Sequence, residues 1–327
     1  GQEKTVQALS GLLIDPYFSA TKIRWILENF PAAAKAVEQE RAAFGTVDSY
    51  LLARLTTGSE HATDVTNASR TALMDLSASS WSRHLCDLFD VPWSVLPSIG
   101  PSGGEFGVTD KRIFGKAIPV LSMIGDQQAA LVGHACTQKG DAKITYGTGA
   151  FLVANTGMDI PVSGHRLLAT SAFQAQGKAN WALEGSIFNA GTVVKWLRDE
   201  LGLISQAADT EAMAAELTSN GGVYFVPAFT GLGAPHWKPD ARGQITGLSR
   251  GTRAAHIVRA GLEASAYQTL DLLTAFEKDG CPVDVLRVDG GMAANDWLMQ
   301  FLADITQKTV ERPVHGEMRA LGAAVLA

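Results

Sequence analysis

The chain has 327 residues, 46% of them hydrophobic and 18% charged, proportions of an ordinary folded protein that exclude an intrinsically disordered one. Lys+Arg 27 against Asp+Glu 33 leaves a net charge of −6, which argues against a protein that coats nucleic acid or acidic membrane. The length suggests about two domains, and no apolar run reaches the ~18 residues of a membrane-spanning helix.

Ser19 is placed to cap a helix through about Asn29, with Ile23, Ile26, Leu27 and Phe30 at helical spacing. Pro31 opens a second helix, since proline suits a first helical position. Asp48 begins a third, and Ser80 a fourth with Trp81, Leu85, Leu88 and Phe89 as its buried stripe. Pro92 to Ser102 reads as a connector, and Ile118 to Ile124 as a buried strand ending at Gly125-Asp126. Beyond it, Ala142–Tyr146 and Phe151–Asn155 are two strands joined by Gly147-Thr148-Gly149, a hairpin signal. Val193–Leu201 is helical, Val223–Pro227 a strand, and Ala228–Gly243 a long loop rich in Gly and Pro. A long amphipathic helix, His256–Phe276, precedes a Val285–Val288 strand, an Asp289-Gly290-Gly291 turn and an Asn295–Thr306 helix. Strands alternating with helices argue for an α/β sheet fold, divided near residue 134.

Glycine supplies 33 residues, a tenth of the chain against a usual ~7%, so backbone must turn tightly or approach a ligand closely. Cys86, Cys136 and Cys281 lie far apart without metal or redox spacing, a pattern suited to a reducing cytoplasm. No basic-then-apolar leader precedes the first helix. The chain opens on Gly1, and Arg319–Ala327 is helix-like without a stop signal, so it reads as a piece of a longer protein.

Three places can carry chemistry. Asp126 stands where a strand runs out, the usual ligand-binding edge of an open α/β sheet, and its carboxylate suits proton abstraction or a metal. A helix N-cap is the plainer use of such an aspartate, and the strand-turn-helix pattern by itself favours the cap. Gly147-Thr148-Gly149 can wrap phosphate oxygens with freed backbone N–H groups, or simply turn a hairpin. Asp289-Gly290-Gly291 has the same two readings. Neither matches G-x-G-x-x-G or a Walker loop. The histidines (61, 84, 134, 165, 236, 256 and 315) lack metal-ligand spacing and read as structural or surface groups.

Taken together, the ordered motifs add what no single turn provides. They are Asp15-Pro16-Tyr17-Phe18-Ser19-Ala20-Thr21-Lys22, Gly45-Thr46-Val47-Asp48, Thr66-Asn67-Ala68-Ser69-Arg70-Thr71 and Gly125-Asp126-Gln127-Gln128. Tyr146-Gly147-Thr148-Gly149, Pro227–Pro235 and Arg287-Val288-Asp289-Gly290-Gly291 follow. This series resembles the glycerol-kinase branch of the sugar- and polyol-kinase family, across nearly the whole chain. The resemblance implies a two-domain ribonuclease-H-like (actin-like ATPase) α/β fold with an incomplete N-terminal domain. Residues 1–134 would be the remainder of the polyol-binding domain and 135–327 the nucleotide-binding domain.

It further implies ATP-dependent phosphorylation of glycerol with Mg2+, in a cytoplasmic homo-oligomer with no nucleic-acid partner. Asp126 would be the general base and a metal ligand, and Tyr17, Gln127 and Phe151 would line the polyol pocket. Gly147, Thr148 and Gly149 would hold phosphates, while Gly191, Lys195, Gly291 and Asn295 would flank the nucleotide. The sequence departs from the family at Lys195, where Gln is common, and at Gly261, where a slightly larger residue is usual. The family's Asp-x-Gly-Thr-Thr loop and its Arg-Glu glycerol clamp have no counterpart here, so this stretch by itself is expected to be inactive. Two other functions fit the same motifs: a kinase of another polyol or sugar, and a non-catalytic actin-like nucleotide-binding protein.

Overall fold

The computed structural model describes residues 1–314 and 316–327; the reading of His315 as structural or surface lies outside them. Its largest sheet has six strands, in the order Thr309–Glu311, Val285–Asp289, Ala142–Tyr146, Ala150–Gly157, Lys178–Ile187, Leu168–Ala175. The first three run parallel and the remaining pairings are antiparallel. Side chains alternate between faces along each strand. On one face Ile144, Leu152, Leu183, Leu286 and Val288 enter the main apolar core. The helix Ala254–Lys278 closes that core, starting where the Arg253 N–H donates to His256 Nδ1 at 3.0 Å. Gly261 faces the helix Gly191–Asp199, and a Cβ there would meet Val193 and Leu197 at 3.1 Å. The missing side chain lets these two helices sit close.

The opposite face of the sheet is unusual in carrying Lys143, Thr145, Glu184, Ser186 and Asp289, all buried. Buried charges cost stability unless they are paired, so this face must be satisfied by what packs on it. The helix Asp126–Gly133 does part of this, held in turn by the helix Met318–Leu326. A Cβ on Gly322 would lie 1.8 Å from the Ala129 carbonyl oxygen, and one on Gly133 2.0 Å from that of Met318. Two glycines thus allow the helix backbones to touch. Gly322→Ala should therefore destabilise the protein by at least the ~1–3 kcal/mol of an overpacked core. Thermal melting checks this, and an unchanged midpoint would mean the helices do not approach so closely.

Residues before 126 build a second core from Val6, Leu12, Leu13, Phe18, Ile23, Leu73, Leu85 and Phe89. Here four expectations need correction. Ser19 does not cap its helix: Phe18 is the N-cap, and the free Ala20 N–H is taken by the Thr71 carbonyl at 2.9 Å. Ser80-Trp81 is a short strand against Met74–Asp75, because Trp81 Nε1 is tied to the Pro97 carbonyl; Ser82 caps the Arg83–Leu88 helix instead. The Pro92–Ser102 connector contains a strand, Ser98–Gly100, parallel to Ala62–Asp64. The expected buried strand is Pro119–Ser122, half-buried because it has one partner, Gly103–Val108, among the described residues.

Candidate active site

Asp126 is positioned from below by a polar knot. The fully buried Asp64 carboxylate accepts from Thr66 N and Asn67 N at 3.0 Å each, from Ser102 Oγ at 2.7 Å, and from Thr66 Oγ1. Burial raises the Asp64 pKa while these donors pull it down. Thr66 Oγ1 then accepts the Gly125 N–H at 2.8 Å, fixing the residue before Asp126. Gly125 is the N-cap and Asp126 the first helical residue, so the aspartate makes no cap bond. Its side chain is 65% exposed, with Arg319 Nε 3.9 Å from Oδ2 and Gln127 Nε2 3.3 Å from the same oxygen. An exposed carboxylate in a first helical turn is a group that can accept a proton or hold a metal.

Beneath Gln127 lies Lys143, fully buried, donating to Gln127 Oε1, to Thr145 Oγ1 at 3.0 Å and to the Phe151 carbonyl at 3.4 Å. Burial pushes its pKa down to about 8, against the pull of Asp289, Glu184 and Asp126. His134 Nε2 is 3.3 Å from Asp289 Oδ2. Burial pushes Asp289 up, but nearby His134, Thr145 and Lys143 outweigh it and hold the group below its ordinary value.

Tyr17 enters from the other side. Arg70 spans from Glu184 Oε1, 2.8 Å from its Nη2, to the Tyr17 and Phe18 rings, whose centroids are 5.8 and 5.5 Å from the guanidinium carbon. Arg70 Nη1 is buried without a hydrogen-bond partner among the described residues. Partial burial raises the Tyr17 phenol, helped by Glu184 and Asp126 and opposed by Arg70. Tyr17 and Asp126 thus share one electrostatic neighbourhood. Phe151 is half-buried and pairs across the sheet with Thr145 and Ser186, on the polar face.

The glycine turns meet at the carboxyl ends of the parallel strands, where ligands bind in open α/β sheets. A cavity of about 720 Å3 opens there, lined by Gly147, Thr148, Gly191, Lys195, Gly291 and Asn295, with Thr192, Arg198, Thr210, Glu211 and Met292 among its other walls. Its floor is backbone packed on backbone. The Gly191 N–H donates to the Gly147 carbonyl at 3.0 Å, and a Cβ on Gly191 would sit 2.4 Å from that oxygen. Gly290 has φ +91 and no room for a Cβ beside Tyr146. Thr148 is exposed at the rim, and the Thr148 and Gly149 N–H groups have no acceptor among the described residues. Such free amides suit an anion. Asn295 is a helix N-cap, accepting from the Leu298 N–H at 2.8 Å and donating to Thr210 at 3.2 Å.

The expected residues therefore fall into two groups: the cavity, and the Asp126–Gln127–Tyr17 cluster with Phe151 at its sheet face. Gly149 alone is off the cavity lining; it is buried, a Cβ there meeting the Ile187 carbonyl oxygen at 2.3 Å. Sequence reasoning did not single out Lys143, Arg70, Glu184 or Arg319. A lone Lys in Ala142–Tyr146 and a lone Glu in Lys178–Ile187 were the available signals, since charges inside apolar strands need partners.

The FGGY family of carbohydrate kinases matches the chain twice, its N-terminal domain over residues 1–133 and its C-terminal domain over 142–327. The chain belongs to this family. It is 56% identical over its whole length to a glycerol kinase of Rhodospirillum centenum and 54% identical to glycerol kinase 1 of Pseudomonas aeruginosa, in each case spanning 66% of the relative. A crystal structure of Plasmodium falciparum glycerol kinase with ADP superposes with a TM-score of 0.90 at 39% identity, over 99% of this chain and 65% of that one. A xylulose kinase from Lactobacillus acidophilus, 20% identical, gives 0.86 over 99% of this chain and 66% of its own; that likeness concerns the fold alone, the actin-like ATPase fold of the family.

Proposed function

We propose that the protein is an ATP-dependent kinase that converts glycerol to glycerol 3-phosphate, with residues 1–134 contributing to polyol binding and 135–327 to nucleotide binding. The observation that carries this reading is the joining of the two groups of residues by one strand. Ala142–Tyr146 has Lys143 under Gln127 and runs on into the Gly147–Gly149 turn at the cavity. Relatives more than half identical to this chain bear the name glycerol kinase, which favours glycerol over a sugar.

Phosphoryl transfer asks a protein mainly to position reactants and balance charge. The free amide of Thr148 faces the phosphates, and Gly191, Lys195, Gly291 and Asn295 enclose the nucleoside. Tyr17 and Phe151 flank the polyol, and Gln127 and Asp126 bind its hydroxyls. Asp126 takes the proton of the attacking hydroxyl as its oxygen bonds to the γ-phosphorus and the bond to ADP breaks. Magnesium held with a nucleotide needs only one or two protein carboxylates, and the exposed Asp126 carboxylate fits that need; the ion would balance phosphate charge. A cytoplasmic homo-oligomer belongs to the same proposal. The three cysteines, free and buried with thiols pushed up by burial, Cys86 and Cys136 to about 11, are consistent with a reducing compartment.

A coupled ADP-release assay on the full-length gene product, comparing glycerol with a panel of pentuloses, hexoses and longer polyols, tests the reading. Glycerol should give the highest kcat/KM. Preference for a sugar would replace the substrate, and ATP turnover indifferent to every polyol would remove the kinase. Lys195, exposed on the cavity wall, should act through its charge. Lys195→Gln is expected to raise the KM for ATP a few-fold at low salt, with the difference shrinking as salt screens it. An unchanged KM would leave Lys195 without a nucleotide contact.

A further inference from the structure

Lys143 is a buried charge to which the reaction just described gives no task. Its ammonium has three donors and no acceptor, so the Gln127 side chain must turn its oxygen toward Lys143 and its nitrogen away. The hydrogen bonds agree: Lys143 Nζ donates to Gln127 Oε1, while Gln127 Nε2 lies 3.3 Å from Asp126 Oδ2. Thr145 Oγ1 at 3.0 Å and the Phe151 carbonyl at 3.4 Å occupy the other Lys143 donors, so the ammonium cannot swing elsewhere. We propose that Lys143 is a positioning residue that locks the Gln127 amide as a donor beside the Asp126 acceptor, so that the site selects a substrate with neighbouring hydroxyls. One hydroxyl oxygen accepts from Gln127 while the adjacent hydroxyl gives its proton to Asp126. Without the lock, the amide turns over at little cost and sets its carbonyl against the Asp126 carboxylate, where it can bind neither.

This inference rests on the polyol-kinase reading of Asp126 and Gln127. A double-mutant cycle on the full-length gene product tests it through kcat and the KM for glycerol. Lys143→Met keeps the length of the side chain and removes its donors. It should raise the glycerol KM about tenfold, the scale of one hydrogen bond, and change kcat less. Gln127→Ala should do the same. The double variant should be no worse than Gln127→Ala, because Lys143 then has nothing to orient. Multiplying effects, or an unchanged KM in Lys143→Met, overturn the proposal and leave the glycerol reading intact. If Lys143→Met does not fold, Gln127→Glu decides: it keeps an oxygen on Lys143 but replaces the outward donor by an acceptor. Its KM should rise at least as far, and an unchanged value overturns the lock. A wild-type protein that does not turn over glycerol removes only the glycerol reading. The cycle is then read on the polyol or sugar that the protein binds, by calorimetry.

Discussion

Asp126→Asn in the full-length gene product is expected to lower kcat by about 10²–10⁴-fold, the usual worth of a positioned general base, while glycerol affinity stays within a few-fold. The amide keeps the shape of the side chain at the start of the Asp126–Gly133 helix and the hydrogen-bonding reach toward Gln127. It cannot take the proton. An interaction needed only as the hydroxyl attacks should be lost from kcat and kcat/KM together. The fold should survive, since Asp126 makes no cap bond and its nearest cation, Arg319 at 3.9 Å, is an exposed partner of little weight. Steady-state kinetics with calorimetry of glycerol binding checks both halves. Near-normal turnover would take Asp126 out of the reaction.

Glu184→Ala should have the largest effect on stability. Glu184 is 1% exposed, receives Arg70 Nη2 at 2.8 Å and Ser186 Oγ at 3.1 Å, and helps balance Lys143. Removing one member of a buried pair costs about 3–5 kcal/mol, because the other charge stays behind. Arg70 retains 20% exposure, and water reaching it should hold the loss near the lower end, about 3 kcal/mol. Arg70 also lies over Tyr17, so the glycerol KM should rise as well. Urea denaturation gives the first quantity and steady-state assays the second. A stability loss below about 1 kcal/mol would mean that the pair is screened as a surface pair is.

Much of the site was legible because its glycines have backbone reasons. Gly149, Gly191 and Gly290 are places where only glycine fits, and two of them, Gly149 and Gly290, lie in turns that stood out in the sequence. Asp126 was legible as a position but ambiguous as a role; the Gly125 N-cap, held by Thr66 across 59 residues of chain, decided against the cap. The strands Leu168–Ala175 and Lys178–Ile187 escaped. Ala169, Ser171 and Gly185 stand among their core-facing positions, and Ala172 and Ala182 stand beside Thr170, Glu184 and Ser186 on the other face. Small residues on both faces blur the alternation on which strand reading depends. Lys143 and Glu184 occupy positions that a solvent-facing side would also give to charged residues, so their burial showed only once the sheet brought them together. Trp81 misled in the opposite direction, its spacing from Leu85 and Leu88 suggesting a helical stripe where the bond to Pro97 holds a strand.

The central claim is that nucleotide and polyol meet at the two ends of one arrangement, the cavity at Gly147–Gly149 and the Asp126–Gln127 pair. A crystal structure of the full-length gene product with ADP and glycerol tests this most directly. ADP phosphates are expected on the Thr148 amide at the cavity rim, and glycerol with one hydroxyl on Asp126 and its neighbour on Gln127 Nε2. ADP outside the cavity, or glycerol with no hydroxyl on Asp126, would contradict it.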